Sequence, residues 1–301
     1  MARGPGPSGA DPDSRAGAER AAGQPVGGDT ADPSGPALAR RLLRAAGLEA
    51  SYGGAPVLQG VDLDVGAGEV LAVVGANGAG KTTFAAALAG LVPLSSGVVE
   101  LSGTDLAGLG PAERLRRGLA LVPEGRRLFQ GLSVADNLRV GAHWRRDEAG
   151  RGSVRRRGAL RVARRAGDPR GEDVGPLLAP VLDLLPALGP LLGHRTGSLG
   201  VAEQSLCALG RALAARPSLL VVDEPTLGLD PERAEELLAV LPDVAATGCA
   251  VVVIEADAAR ALSVAERAVV LARGRVVREA SPGSLLSDLD FLRSYVWGSA
   301  G

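Results

Sequence analysis

The chain has 301 residues, 46% of them apolar and 22% charged, enough for one large core or two small ones and too apolar for a disordered protein. Thirty-three Lys+Arg against thirty-four Asp+Glu leave a formal charge of −1, which excludes a whole-chain field for nucleic acid or an anionic membrane. Every basic residue is Arg except Lys81.

Residues 1 to about 40 are Gly, Pro, Ala, Ser and Asp with almost nothing aliphatic to bury, and a disordered tail is expected there. The opening Met-Ala-Arg-Gly-Pro-Gly-Pro lacks the apolar run of a secretory signal. From Leu42 onward apolar runs alternate with helical patterns. Val61-Asp-Leu-Asp-Val65 alternates like a half-buried strand, and Glu69-Val-Leu-Ala-Val-Val-Gly75 is a continuous buried-strand run. A Gly-rich turn follows, then a helix predicted from about Gly80 to Leu91. Leu119–Val122, Leu219–Val222, Ala250–Ile254 and Ala268–Leu271 are short, mostly β-branched and separated by helical stretches. That spacing predicts a mainly parallel sheet covered by helices.

Between about Ser133 and Thr196 no strand-like run occurs, so helices are expected, interrupted by Arg145–Arg170 with ten Arg against three acids. That stretch reads as a solvated insertion, with contact to anionic lipid or nucleic acid as the alternative; Trp144 is its one aromatic neighbour for base stacking. Pro176 to Gly193 is the longest apolar stretch, but Pro180, Asp183, Pro186 and Pro190 cut it into short packed helix rather than a membrane span. Cys207 and Cys249 are too few for a disulfide framework and show no zinc spacing, so they read as buried reduced thiols of a cytosolic protein. His143 and His194 exclude a multi-histidine metal site and read as surface or packing residues.

Two motifs carry chemistry. Gly75-Ala76-Asn77-Gly78-Ala79-Gly80-Lys81-Thr82 fits G-x-x-x-x-G-K-[ST] between a predicted strand and a predicted helix. Glycines let successive backbone N–H groups turn toward phosphates, and the helix N-terminus adds positive dipole. Lys81 is then expected at the β- and γ-phosphates of a nucleotide, with the Thr82 hydroxyl on Mg²⁺. The second motif, Leu219-Leu-Val-Val-Asp223-Glu224-Pro225, ends a buried strand with two carboxylates at the edge where an α/β sheet binds ligand. Asp223 is expected to hold Mg²⁺ and Glu224 to activate the attacking water.

With Thr226-Leu-Gly-Leu-Asp230 after them, these motifs resemble the ATP-binding-cassette (ABC) family over about residues 44 to 296. The resemblance implies an α/β P-loop NTPase fold: a mainly parallel RecA-like core, an antiparallel β subdomain and an α-helical subdomain. It places the cassette at 41–301 and the helical subdomain at about 130–200. Tyr52 matches the family's adenine-stacking aromatic, and Thr83 joins Thr82 in the ATP site. Val122-Pro-Glu124-Gly-Arg-Arg-Leu-Phe129 and Leu132-Ser-Val-Ala-Asp-Asn-Leu138 look like the loop joining the core to the helical subdomain. Most ABC proteins have Gln where Glu124 stands. Glu at this point, with Gly274-Arg-Val-Val-Arg278 and Ser294-Tyr-Val296, resembles the second ATPase of branched-chain amino-acid importers, the LivF-like branch.

In that family two cassettes trap two ATPs between one subunit's P-loop and the other's Leu-Ser-Gly-Gly-Gln/Glu signature. Here the signature aligns as Leu199-Gly200-Val201-Ala202-Glu203-Gln204, so Gly200 replaces the serine, and Val201 and Ala202 put Cβ atoms where glycines permit close approach. After Ala250–Ile254 the family's switch His or Gln is Ala256, which donates nothing. The expected protein is a peripheral, cytoplasmic-face ATPase subunit of an importer for branched-chain amino acids or similar small polar substrates, using ATP and Mg²⁺. Its expected partners are membrane permease subunits and a second ABC ATPase, as a hetero-pair rather than a homodimer, with no direct nucleic-acid contact. The alternatives are a hydrolytically impaired regulatory subunit and a non-transport ABC ATPase acting on nucleic acid.

Overall fold

A computed structural model of the chain describes residues 41–143 and 178–291, with Met1 and Arg293. The chain divides into Met1–Gly35 and Pro36–Gly301, and apart from Met1 everything below belongs to the second unit. The expected tail, the Arg-rich stretch 145–170 with Trp144, and Ser294-Tyr-Val296 lie outside the described residues.

Strands β1 (Arg41–Tyr52) and β2 (Ala55–Gly66) form an antiparallel hairpin around Gly53-Gly54, and a buried strand β3 (Val70–Val74) follows. Helix α1 (Lys81–Leu88) is shorter than the sequence suggests, because the chain turns at Gly90 in a left-handed conformation. The guanidinium of Arg114 fastens that end, donating to the carbonyls of Ala87 and Leu88 at 2.9 and 2.7 Å. It belongs to helix α2 (Pro111–Arg116), which comes after strands β4 (Ser96–Leu101) and β5 (Thr104–Asp105). Then come β6 (Leu119–Val122), α3 (Val134–Ala142), α4 (Ala179–Leu184) and α5 (Val201–Leu213). The Pro-cut apolar stretch forms α4 and a 3-10 turn at Pro186–Leu191. Strand β7 (Leu219–Asp223), helices α6 (Pro231–Leu238) and α7 (Val240–Ala246), and β8 (Ala250–Ile254) complete the centre. Helix α8 (Ala258–Val264), strands β9 (Arg267–Ala272) and β10 (Arg275–Ala280) and short helices α9 (Pro282–Ser287) and α10 (Leu289–Phe291) follow.

One sheet is antiparallel, in the order β2-β1-β4-β5; the other is six-stranded, β10-β9-β3-β8-β7-β6, parallel except for edge strand β10. Strands β3, β7 and β8 are buried along their whole length, which is why each reads as an uninterrupted apolar run. Side chains still alternate between faces. Val70, Ala72, Val222, Val251 and Val253 pack toward the helices, while Leu71, Val73, Val221, Val252 and Ile254 pack with α1 and the antiparallel sheet. Each fully buried Val or Leu contributes about 1.5–3 kcal/mol, so this two-faced sheet is the platform on which the loops at its carboxyl edge are held. Among the described residues no helix is long and apolar enough to cross a membrane.

Candidate functional site

The order of the parallel strands builds the site. β8 lies between β3 and β7, with Ile254 paired to Val73 on one side and to Asp223 on the other. The loop after β3, the carboxylates ending β7 and the residues after β8 therefore emerge at one edge.

The loop Gly75–Gly80 runs from β3 into α1. Gly75 has φ 158 and a Cβ there would collide with the carbonyl oxygen of Leu271; Gly80 has φ 103 and sits against Val57 and Leu58 of β2. A side chain at either position would push the loop off its supports. Ala79 is buried, Ala76 half-buried, and Asn77 and Gly78 form the exposed tip. Lys81 is only 5% exposed. Its Nζ donates to the carbonyls of Gly75 at 2.8 Å and Ala76 at 3.3 Å, so the ammonium lies across the concave side of the loop. Burial lowers its pKa, and the nearby carboxylates Glu224, Asp223 and Glu255 oppose that shift.

Asp223 ends β7 and is 3% exposed. Burial raises its carboxyl to about 6; the nearby Thr82 hydroxyl opposes that rise, while Glu224 and Glu124 push it further up. Its Oδ1 is buried without a hydrogen-bond partner. A buried carboxylate oxygen left without a donor beside a hydroxyl is a suitable hard-cation donor pair. Among the described residues no cluster of three or more His, Cys, Asp or Glu could hold a metal alone. A cation at Asp223 and Thr82 therefore needs oxygens from a bound substrate to complete its shell, which is how Mg²⁺ sits on nucleotide phosphates. Glu124 shares an open cleft with Thr82 and Asp223.

Glu224, next along, has φ 47, a left-handed conformation rare for a residue with a long side chain, and its N–H donates to Ile254 O at 2.9 Å. Thr83 is half-buried in the first turn of α1. Tyr52 is 54% exposed in the β1–β2 hairpin, whose second strand carries the Val57 and Leu58 that abut Gly80.

The degenerate segment also keeps a defined geometry. Gly200 caps α5 with φ −64, and the Glu203 carboxylate accepts its N–H at 2.8 Å. This is half a capping box, because Gly200 has no oxygen to return. Leu199 is buried, Val201 is exposed with its side chain against Gly228, and Ala202 is half-buried. Ala256 is exposed just beyond β8 and presents only a methyl group. His143 and His194 are exposed, and neither cysteine is bonded to another.

Sequence reasoning missed three residues. Glu255, 3% exposed, accepts from both the N–H and the hydroxyl of Thr226. Arg126 and Ser205 reach the same segment, donating to the carbonyls of Leu227 and Pro225. A carboxylate directly following the all-apolar Ala250–Ile254 was a readable signal for Glu255, since a strand's carboxyl end is where polar residues of an α/β site collect. No local pattern announces Arg126 among the chain's many arginines.

The family described as ABC transporter matches residues 58–227. The branched-chain amino-acid transport ATP-binding protein BraG of Pseudomonas aeruginosa is 32% identical over 247 residues, covering 82% of this chain and 96% of BraG. The hemin import ATP-binding protein HmuV of Streptomyces coelicolor is 35% identical over 258 residues, covering 85% and 84%. Among solved structures, a nucleotide-free ATP-binding cassette from an ABC transporter superposes with a TM-score of 0.69 at 24% identity, covering 84% of this chain and 98% of that one.

Proposed function

The chain belongs to the ABC transporter family as an ATP-binding, ATP-hydrolysing subunit coupled to membrane permease components, and we propose that it serves an importer of branched-chain amino acids or similar small polar substrates. The observation that carries the catalytic reading is the orphaned Oδ1 of Asp223 beside the Thr82 hydroxyl, with the Lys81 ammonium and the left-handed Glu224 at the same sheet edge.

ATP would enter with its phosphates on the Gly75–Gly80 backbone N–H groups and the α1 N-terminus, its adenine on Tyr52. Lys81 would leave the carbonyls of Gly75 and Ala76 for the β- and γ-phosphates, exchanging two neutral acceptors for anionic ones. Thr82 and Asp223 would hold Mg²⁺, which when bound would supply positive charge beside the phosphate oxygens. Glu224 would orient the attacking water and take its proton, while Glu124 faces the cleft that Thr82 and Asp223 line.

The importer assignment rests on the likeness to BraG together with Glu124-Gly-Arg-Arg; identity to HmuV is slightly higher, 35% against 32%, so overall identity does not choose the substrate. Gly200 and Ala256 favour a hetero-pair at the cytoplasmic face of the membrane, with a partner cassette supplying the fuller signature and switch residue. A homodimer would carry both losses in both sites. By analogy with removing one preorganised donor, Ala256 costs about 10²–10³ in turnover. The test is Mg-ATP turnover by the chain alone and with its co-encoded cassette and permeases. Slow turnover alone and fast turnover in the assembly support the reading. Ordinary turnover by the chain alone overturns the hetero-pair. Absent turnover in the assembly's site built on Lys81 leaves a nucleotide-binding regulatory subunit.

A further inference from the structure

Three successive residues after Glu124 adopt left-handed backbone: Gly125, Arg126 and Arg127, at φ 73, 64 and 47. For two arginines this is a strained arrangement that something must hold. Arg211 of α5 does so, donating to Arg127 O at 2.6 Å and Arg126 O at 3.0 Å while its guanidinium lies 5.8 Å from the Phe129 ring centre.

The turn so held aims the Arg126 side chain at the segment after Glu224. Its Nε donates to Ser205 Oγ at 2.7 Å, and its terminal nitrogen donates to the carbonyl of Leu227. The Ser205 hydroxyl shares its own proton between the carbonyls of Val201 at 3.2 Å and Pro225 at 3.3 Å. Between those two carbonyls along the chain, Glu255 holds Thr226. Each of residues 225–227 is thus held by a polar partner from a distant segment. Arg126, Ser205, Glu224 and Pro225 also border one small cavity, together with the apolar Leu209 and Leu238.

We propose that Arg126 is a positioning residue for ATP hydrolysis: with Ser205 it clamps residues 225–227 and so keeps Glu224 in its left-handed conformation. The clamp joins three elements, the loop bearing Glu124, helix α5 behind the degenerate signature, and the end of β7. A rearrangement of α5 is thereby transmitted to the carboxylate through hydrogen bonds. The proposal rests on the reading that Glu224 assists hydrolysis.

The test uses Arg126→Gln, which removes the guanidinium fork without adding strain at φ 64, and Ser205→Ala, a substitution well suited to a buried helix position. Hydrogen exchange in the nucleotide-free full chain should speed up about tenfold in Asp223–Asp230 of Arg126→Gln while β8 is unchanged. In the reconstituted transporter kcat should fall about tenfold with KM for ATP unaltered. In a Glu224→Gln background the same change should alter residual turnover less than about twofold, since the two residues act through one group. Ser205→Ala should move each readout in the same direction by less, and it decides the matter if Arg126→Gln does not fold. Unchanged exchange overturns the clamp. Faster exchange with unchanged kcat, or an equal loss in both backgrounds, overturns its action through Glu224. If Glu224→Gln turns over like wild type, the reading of Glu224 fails, and exchange still decides whether the clamp exists.

Discussion

Glu255 Oε1 lies 3.0 Å from the backbone nitrogen of Thr226 and 2.7 Å from its hydroxyl, and both residues are buried. Burial raises the Glu255 pKa, and the two bonds from Thr226 oppose that rise. The first residue after β8 thus fastens the loop that follows Glu224, whose strand β7 lies two places from β3 in the sheet.

Glu255→Ala strands the N–H and hydroxyl of Thr226 at a buried site, which costs about 1–3 kcal/mol. For a chain of this size each kcal/mol lowers Tm by about 2–4 °C. Thermal unfolding should show that drop, and turnover in the assembly should fall with it. An unchanged Tm would mean that water or a rearranged loop satisfies Thr226.

Gly200→Ser should be accepted without strain. The φ of −64 suits serine, and the nearest atom to a new Cβ is Glu203 Oε2 at 3.6 Å. The hydroxyl completes the capping box and stabilises α5 by a few tenths of about 1 kcal/mol. If the site opposite needs the signature hydroxyl, turnover of the assembly should rise by about tenfold or more. No gain in turnover would show that Val201 and Ala202, not Gly200, limit closure.

Lys81→Arg should raise the Kd for ATP by about a hundredfold or more, from the loss of charge-assisted bonds worth about 1.5–3 kcal/mol each. The ammonium is buried against two loop carbonyls, where a planar fork has neither the volume nor the direction. Near-normal affinity by calorimetry would move the phosphate site elsewhere.

The pH dependence follows from Asp223. Its pKa is raised from 3.8 to about 6, so the folded, nucleotide-free protein keeps a proton that the unfolded chain has lost between those values. The stability this proton provides is fully present below pH 3.8 and is lost as pH rises through about 6. Asp223→Asn removes the titration. Its unfolding free energy should therefore gain on wild type between pH 4 and 7, by on the order of 1–3 kcal/mol. Mg²⁺ binding with ATP should strengthen over the same interval in wild type, because the cation requires the ionised carboxylate.

Burial pushes the thiols of Cys207 and Cys249 to about 11 and about 12. Neither should be alkylated by iodoacetamide at pH 8 in the native chain, and both should react after denaturation. Modification of native protein at the rate of a free thiol would place that cysteine at the surface.

Much was legible in the residues alone. The runs Leu119–Val122 and Ala250–Ile254 coincide with β6 and β8, because a strand buried on both faces must be apolar throughout. Gly75–Thr82 was equally readable, since a loop wrapping phosphates demands glycines and a lysine at set spacing. Asp223-Glu224 showed itself as two acids ending an apolar run. Local sequence alone could not say that β8 separates the P-loop strand from β7, and that order puts Glu255 behind Thr226. Nor could it single out Arg126 among arginines, because its position comes from a left-handed turn held by Arg211 and from partners far along the chain, the Ser205 hydroxyl and the Leu227 carbonyl. The sequence determined which groups are proposed to meet the nucleotide, through strict spacing over a few residues. The tertiary structure decided what holds those groups in place, because hydrogen bonds between distant segments leave no period or spacing in the chain.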